Sequence, residues 1–413
     1  MLEDKLPILS IIIPTKNRQY TCMFAIKSAL VIDSDIFEVI IQDCGDTDKL
    51  KEAIFSEFGP DNRLKYFYTD SLPSMTENWN LAISNSTGKY ICGIGDDDSV
   101  LPSCIEVTSW MDANGIQAVL GALVNYIWTD AYIGSFSSGR LSHKLNFTGE
   151  IFEVEVHTEF IKKALNCGFG YTEELPNIYH GIVKKELLET HKKICGNYLF
   201  STSLDVYNAM TLPTYLQKSY YIDFPLTVRG ASGSSNSNRS NSKKGLKNHF
   251  RDFKNLNIPQ ILPPVLNTEV SIAESTIIAL HDTKQELLIS KMNLAIVYAK
   301  CAALDVTHSL FYYKEYKLRK NNDNTNNAFF TFLYRFLKDR FRAFATDIAL
   351  KMIFSMAPKS IKYLEKITNK RKVLATDILI ANKILSDHLS ANKIVIKYSQ
   401  KFKKLIPQKA PWD

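Results

Sequence analysis

Short apolar runs rich in β-branched residues alternate with longer amphipathic stretches in the N-terminal part of the chain. The runs ILSIIIP (residues 8–14), FEVIIQD (37–43) and KYICGIG (89–95) each end in turn or polar residues, which is typical of buried strands. Between them, residues 19–32 and 74–87 carry apolar side chains at helical spacing. Strand and helix therefore alternate, and this order predicts an α/β domain with a mainly parallel sheet.

The rest of the chain divides at a segment rich in serine, asparagine and glycine. Residues 118–130 and 177–189 continue the α/β pattern, and residues 220–230 are predicted to form a last strand. The segment ASGSSNSNRSNSKKG (231–245) follows, and the sequence beyond it is largely helical in pattern. The predicted organisation is an α/β domain at 1–238 (halves at about 1–109 and 110–238), a linker at 239–267 and a helical, basic region at 268–413.

Composition narrows the class of protein only in part. Hydrophobic residues make up 45% of the chain and charged residues 23%, which is ordinary for a globular protein. The first apolar run is short, follows acidic residues and closes on proline, so it predicts a strand rather than a signal peptide. No apolar stretch approaches the roughly 18 residues that span a bilayer. Seven scattered cysteines without CxxC spacing predict reduced thiols in the cytosol and disfavour a zinc site.

Charge is distributed unevenly along the chain. From residue 311 onward about 22 Lys and Arg stand against about 8 Asp and Glu, so this part carries roughly +14 and residues 1–310 roughly −7. Residues 329–344 and 392–407 interleave aromatic or apolar side chains with basic ones, which predicts basic amphipathic helices. Such helices either bind an anionic membrane surface or pack their apolar faces into a helical subdomain, and both readings stay open. Nucleic-acid binding is disfavoured because no recognised RNA or DNA module accompanies the charge.

Polar residues follow each of the three N-terminal strands. They are the turn PTKNR (14–18), Asp43, and three adjacent aspartates at 96–98. Because the carboxyl ends of parallel strands meet at one edge of a sheet, these residues are expected to lie together. Clustered carboxylates suit a hard cation such as Mg²⁺ or Mn²⁺, which often bridges to substrate phosphates. Taken alone, the three aspartates could equally form a solvated acidic turn.

These three blocks, in this order and at these distances, resemble the family 2 glycosyltransferases of GT-A fold. The resemblance is strong over residues 6–106 and persists to about residue 238. It implies an α/β, Rossmann-like domain that binds the nucleotide-sugar donor in its first half and the acceptor in its second. It also implies a Mn²⁺ or Mg²⁺ cofactor. By matching positions, it implies donor contacts by Pro14, Thr15, Asn17, Arg18, Asp43, Asp96 and Asp97, and metal contacts by Asp97 and Asp98.

A general base for sugar transfer is expected in the second half of the domain. Asp205 lies where a Ser-rich turn meets an apolar-periodic stretch, so it is predicted near a helix N-terminus with Ser203 as cap. The helix dipole there favours the ionised carboxylate that a base needs. The resemblance matches Asp205 to the family's catalytic Asp, and a capping acid without chemistry is the alternative. Glu173 and Glu174 are reserve candidates.

The sequence leaves two interpretations open for each of two basic residues in the second half of the α/β domain. His180 could contact the acceptor or a diphosphate, or it could be a satisfied structural histidine. Arg229 could pair with a phosphate, and a surface arginine is the default interpretation.

The sequence thus favours a metal-dependent, inverting glycosyltransferase that uses a UDP-sugar and acts in capsule or O-antigen assembly. Its expected acceptor is a glycan, carried on polyprenyl diphosphate, and its expected location is the cytoplasm or the inner face of the cytoplasmic membrane. One alternative is a catalytically inactive carbohydrate-binding or scaffold protein of the same fold. A sugar nucleotidyltransferase is a weaker alternative, because PTKNRQYT lacks the glycine-rich phosphate loop that such an enzyme needs.

Overall fold

The computed structural model describes residues 6–70, 73–131, 138–171, 174–235, 259–265, 267–319, 330, 332–341, 369–398 and 402–404. Most of the predicted linker, the reserve base Glu173 and residues 405–413 lie outside these ranges. In chain order the strands are β1 (Leu9–Thr15), β2 (Phe37–Asp43), β3 (Leu64–Tyr68), β4 (Tyr90–Gly93), β5 (Ser99–Val100), β6 (Ala118–Gly121), β7 (Asn125–Ile127), β8 (Arg140–Lys144), β9 (Ile151–Glu155), β10 (Gly181–Lys184), β11 (Lys218–Ile222), β12 (Thr227–Ala231), β13 (Lys370–Leu374) and β14 (Lys403–Lys404).

Helices connect these strands and cover the sheets. They are α1 (Gln19–Leu30), α2 (Lys49–Phe58), α3 (Met75–Asn85), α4 (Pro102–Asn114), α5 (Val156–Leu165), α6 (Lys185–Cys195), α7 (Leu204–Thr211), α8 (Thr268–Asp282), α9 (Glu286–Ile289), α10 (Ala295–Leu304), α11 (Ser309–Arg319) and α12 (Ile378–Ala391). Residues 332–341 are also helical. Among the described residues, no helix combines the length and the apolar character needed to cross a bilayer.

The central sheet has nine strands in the order β14-β9-β11-β6-β10-β4-β1-β2-β3. Strands β1, β2, β3 and β4 pair in parallel, whereas β10 runs antiparallel to both of its neighbours. Leu9, Ile11 and Ile13 of β1 enter one hydrophobic cluster and Ile12 enters another, because successive side chains of a strand point to opposite faces. Both faces are buried, which explains the unbroken apolar run. The predicted α/β fold with a mainly parallel sheet is confirmed.

Local signals at the helix ends account for where the helices begin and end. Ser74 caps α3 through a capping box, in which its side chain accepts a hydrogen bond from the Glu77 N–H and the Glu77 carboxylate accepts one from the Ser74 N–H. Pro102 occupies the first turn of α4, and Gly115 ends that helix in the left-handed conformation (φ 64°). The predicted helices at 19–32 and 74–87 are therefore confirmed, with shorter bounds.

A second sheet, which the sequence pattern did not reveal, has five strands in the order β13-β8-β7-β12-β5. The chain passes from the first sheet to the second three times, between β4 and β5, between β6 and β7 and between β11 and β12. The single strands predicted at 118–130 and 220–230 are thus each two strands. Between β6 and β7, Gly121 allows a close approach, because a Cβ there would come within 2.6 Å of the Leu226 side chain. These crossings bring β12 beside β5 and the loop that precedes it.

The helical region packs directly on the α/β domain. Side chains of α8 and α10 share a hydrophobic cluster with α5, α6 and α7, including Phe160, Leu188 and Met210. Strand β13 pairs with β8, and α12 packs against the second sheet through Ile378, Leu385 and others. The helices confirm the predicted helical character of this region, but β13 and β14 complete the two sheets of the α/β domain.

The predicted amphipathic helix at 392–407 is wrong over its described residues. Helix α12 ends at Ala391, residues 394–398 are not helical, and β14 pairs with the edge strand β9. Phe402 packs on Trp110 and Tyr220, with ring centroids 5.9 and 5.1 Å apart. The open hydrogen-bonding edge of β9 and the aromatic contacts stabilise an extended segment here, which helical periodicity cannot reveal.

Candidate active site

The site begins where β1, β2 and β4 end at one edge of the central sheet. Pro14 does not terminate β1, contrary to expectation, because the strand continues to Thr15. Strand β4 pairs with β1 only as far as Ile12, so the missing amide hydrogen of Pro14 lies beyond that ladder. The convergence of the three polar blocks is confirmed by direct contacts between them.

The turn after β1 holds Asp96. The Thr15 hydroxyl donates to one Asp96 oxygen at 2.7 Å, and the Arg18 guanidinium donates to the other at 2.8 Å. Asn17 adopts a left-handed conformation (φ 57°), and its side-chain oxygen accepts a hydrogen bond from the Asp46 N–H. Arg18 therefore compensates one of the three clustered aspartates, and the turn itself connects the ends of β1, β2 and β4.

Asp43 lies at the same sheet edge, at the end of β2. One of its carboxylate oxygens accepts from the Gly45 N–H and the other from the Tyr66 hydroxyl, each at 2.8 Å. Burial raises the pKa of Asp43 above its usual value, although these two donors act in the opposite direction. The sequence did not identify Tyr66, nor Asn78, whose amide group donates to the carbonyl oxygens of Thr15 and Gln42.

Residues 95–98, the acidic loop, are hydrogen-bonded to the C-terminal end of β12 and to Ser232, which follows it. One Asp97 oxygen accepts from both the N–H and the hydroxyl of Ser232, at 2.9 and 2.7 Å. The two Asp98 oxygens accept from the N–H groups of Gly95 and Gly230, both at 2.6 Å. Position 230 requires glycine, because a Cβ there would overlap the Asp97 carbonyl oxygen. Strand β12 is thus part of the site, although the sequence did not predict this.

The pKa values of two neighbouring aspartates of this loop, Asp97 and Asp98, are shifted in opposite directions. Burial, together with the charges of Asp98 and Asp96, raises the pKa of Asp97 to about 7. Burial acts to raise the pKa of Asp98 too, but its hydrogen bonds and the nearby His180 hold that pKa below the usual value. Burial lowers the pKa of His180, whose ring lies 3.2 Å from Asp98. His180 and the two backbone N–H groups therefore together compensate the charge of Asp98.

This donor set fits a divalent cation at Asp97 but supplies few protein ligands. The Asp97 oxygen that Ser232 does not contact accepts no hydrogen bond from a described residue. Both Asp98 oxygens already accept hydrogen bonds, so its predicted metal contact stays a prediction. No cluster of three or more His, Cys, Asp or Glu side chains suited to a metal occurs in the described part of the chain. A carboxylate with one oxygen left for a ligand suits Mg²⁺ or Mn²⁺, which keep waters and bind substrate phosphates.

Asp205 lies in a cleft beside this loop. The cleft is narrow, is partly open to solvent and is lined by Leu120, Gly121, Leu123, Tyr171, Asn177, Tyr179, His180, Asp205 and Arg229. Asp205 is in the first turn of α7, as predicted, but Ser203 makes no side-chain cap and instead bonds to Ser271. The Tyr171 hydroxyl donates to the Asp205 carboxylate. His180 joins the two parts of the site, because it lines the cleft and contacts Asp98.

The other residues that the sequence left open differ in whether they line the cleft. Glu174 is buried and forms an ion pair with Lys163 at 2.8 Å, so it is compensated and does not line the cleft. Tyr171 and Tyr179 were missed by the sequence, because each is an isolated aromatic residue whose role depends on distant neighbours. Arg229, whose role was open, faces the ring of Tyr179.

Comparison with known proteins agrees with this geometry. The sequence model for glycosyl transferase family 2 matches residues 10–161, which contain the turn after β1, Asp43 and the acidic loop. Residues 10–161 are therefore similar in sequence to glycosyl transferase family 2. The GT-A resemblance noted in the sequence rests on the same three blocks and is consistent with this match.

Several curated glycosyltransferases are similar to parts of the chain. A GalNAc(5)-diNAcBac-PP-undecaprenol beta-1,3-glucosyltransferase of Campylobacter jejuni is 29% identical over 199 residues, which is 45% of this chain and 63% of that protein. The putative colanic acid biosynthesis glycosyl transferase WcaA of Escherichia coli is 35% identical over 103 residues, or 24% of this chain and 36% of WcaA. The chain thus spans less than two thirds of the length of these relatives. Staphylococcus aureus TarS 1-349, solved with UDP-GlcNAc, aligns with 76% of this chain and 93% of its own at 15% identity, with a TM-score of 0.42.

Proposed function

We propose that this α/β domain is an inverting family 2 glycosyltransferase that moves a sugar from a UDP-sugar to a glycan acceptor in bacterial surface-polysaccharide synthesis. The observation that carries the proposal is the cleft that joins Asp205 to the acidic loop through His180. The proposed nucleotide site and the candidate base then lie next to each other, as sugar transfer requires. The polyprenyl-diphosphate acceptor is part of the proposal, and the acceptor named in the Campylobacter relative supports it.

In the proposed reaction Asp205 removes the proton from an acceptor hydroxyl while that oxygen attacks the anomeric carbon of the donor. The bond between this carbon and the diphosphate oxygen breaks, and the nucleoside diphosphate leaves with the electron pair. Tyr171 orients the Asp205 carboxylate through its hydrogen bond. Asp43 and Asp96 face the donor side of the sheet edge, where they are proposed to contact the nucleoside. Mn²⁺ or Mg²⁺ at Asp97 would supply positive charge to the leaving diphosphate.

Release of UDP from a panel of UDP-sugars, with Mn²⁺ and a glycan acceptor, tests this function. Because a general base contributes about 10²–10⁴-fold to a rate, we expect Asp205→Asn to lose turnover by that order while UDP binding is kept. Glu174→Gln is the control, since it changes an acid of the same half of the domain that does not line the cleft. Equal turnover in wild type and Asp205→Asn would exclude Asp205 as base. Complete absence of sugar-dependent turnover, with sugar binding retained, would favour the inactive carbohydrate-binding alternative.

We also propose that the surface formed by α11 and residues 332–341 contacts an anionic membrane. Phe332 packs against Tyr313 and Tyr316 and so holds the two helical segments together. Lys314 and Lys317 of α11 and Arg340 of the second segment are exposed. The exposed apolar side chains of these two segments are Leu310, Phe311, Leu318, Tyr334, Leu337 and Phe341. Aromatic and basic side chains on one surface suit the interface of an anionic bilayer.

Sedimentation with vesicles that contain phosphatidylglycerol tests this surface. Phe341→Glu should reduce the bound fraction, whereas Phe55→Glu on α2 should not, although the two side chains are similarly exposed (69% and 63%). Equal sedimentation of wild type and Phe341→Glu would exclude a membrane role for this surface.

A further inference from the structure

Arg229 differs from two other arginines of the α/β domain, Arg63 and Arg18. Arg63 donates to both oxygens of Asp61 and to backbone carbonyl oxygens, including that of Leu30. Arg18 is paired with Asp96. In contrast, the Nε of Arg229 is buried without a hydrogen-bond partner among the described residues, and no described carboxylate lies within ion-pair distance of its guanidinium. The guanidinium carbon of Arg229 lies 5.7 Å from the centroid of the Tyr179 ring, within the range of a cation–π contact.

The backbone fixes this side chain at the wall of the cleft. Arg229 lies in the middle of β12, and its N–H donates to the Val124 carbonyl oxygen at 2.9 Å. The next residue, Gly230, donates to Asp98, so β12 is held on both sides of the site. Arg229 and Asp205 line the same cleft without forming an ion pair. A preformed cation therefore stands beside the proposed base.

An unpartnered donor of a charged group costs stability in the free protein, and a ligand that accepts its hydrogen bond removes that cost. The planar guanidinium fork matches the paired oxygens of a phosphate or carboxylate. We propose that Arg229 is a specificity-determining residue that binds a diphosphate group brought into the cleft by a substrate. The inference rests on the proposed function, which supplies two sources of that chemistry: the nucleotide donor and a lipid-diphosphate acceptor.

Calorimetry on the full chain distinguishes the two sources. The probes are UDP with Mn²⁺, geranyl diphosphate, pyrophosphate, and uridine as a probe without phosphate. We expect Arg229→Gln to weaken the binding of at least one diphosphate probe by tenfold or more. Arg229→Lys should weaken the binding of that probe less, and uridine binding should stay unchanged. Weaker UDP binding assigns the contact to the donor, and weaker geranyl diphosphate binding with unchanged UDP binding assigns it to the acceptor. Arg371→Gln on the exposed strand β13 is the matched control.

Folding and the proposed function are checked separately. Arg229→Gln should melt at or above the temperature of the wild type, because it removes a buried group without a partner. If the folded variant binds UDP, geranyl diphosphate and pyrophosphate as tightly as the wild type does, the proposal is overturned. If the wild type binds none of these three probes, it is overturned as well. If the wild type binds pyrophosphate through Arg229 but neither UDP nor geranyl diphosphate, the anion site stands and the proposed function fails.

Discussion

Asp97→Asn tests the electrostatic basis of the site without removing its hydrogen bonds. An asparagine oxygen can still accept from the N–H and hydroxyl of Ser232. The pKa of Asp97 is raised from 3.8 to about 7, so the ionised carboxylate costs roughly 4 kcal/mol of folding stability, at about 1.4 kcal/mol per pH unit. Because the folded-state pKa is the higher one, this cost develops as pH rises from about 4 to about 7 and is complete above that range.

The assay is thermal unfolding without divalent ions, at several values between pH 5.5 and pH 8. At pH 8 we expect Asp97→Asn to melt several degrees above the wild type, and the difference should shrink towards pH 5.5, where Asp97 carries its proton. Mn²⁺ with UDP should stabilise the wild type and not the variant. Asp46→Asn, an exposed acid on the loop after β2, is the control and should show no such pH dependence. The same difference between Asp97→Asn and wild type at both pH values would refute the reasoning.

Four further expectations concern other parts of the fold. Gly230→Ala should lower the melting temperature and abolish UDP binding, because its Cβ overlaps a carbonyl of the acidic loop; unaltered UDP binding would contradict this. Ser74→Ala should cost about 1 kcal/mol in urea unfolding through loss of its cap. Burial lowers the pKa of His143 from 6.5, so its protonation destabilises the fold as pH falls below 6.5; His143→Gln should flatten the stability profile there, and an unchanged slope would count against it. Tyr171→Phe should lower kcat about tenfold with little change in KM, through loss of one hydrogen bond to Asp205.

The local sequence pattern was sufficient to predict which residues form the donor side of the site. The apolar runs of β1, β2 and β4 are buried on both faces, so their ends can be read from the sequence, and the acids that follow them meet at one edge. The first turn of α7 was predicted for the same reason, since its polar start and apolar periodicity are local signals. The prediction at 392–407 failed because the same spacing of apolar residues can serve a helix or an extended segment that packs on an aromatic surface.

The sequence by itself determined which residue types reach the sheet edge: strand periodicity and the residues that end each strand are properties of short segments. Only the tertiary structure decided what each acid does there. Ser232 and Gly230 are 135 and 132 positions from the aspartates they bind, and no local pattern specifies contacts over such distances. Asp97 and Asp98 are adjacent and chemically identical, yet their pKa values move in opposite directions. The cause is physical: a protonation equilibrium depends on burial and on neighbouring dipoles and charges, which exist only once the two sheets have come together.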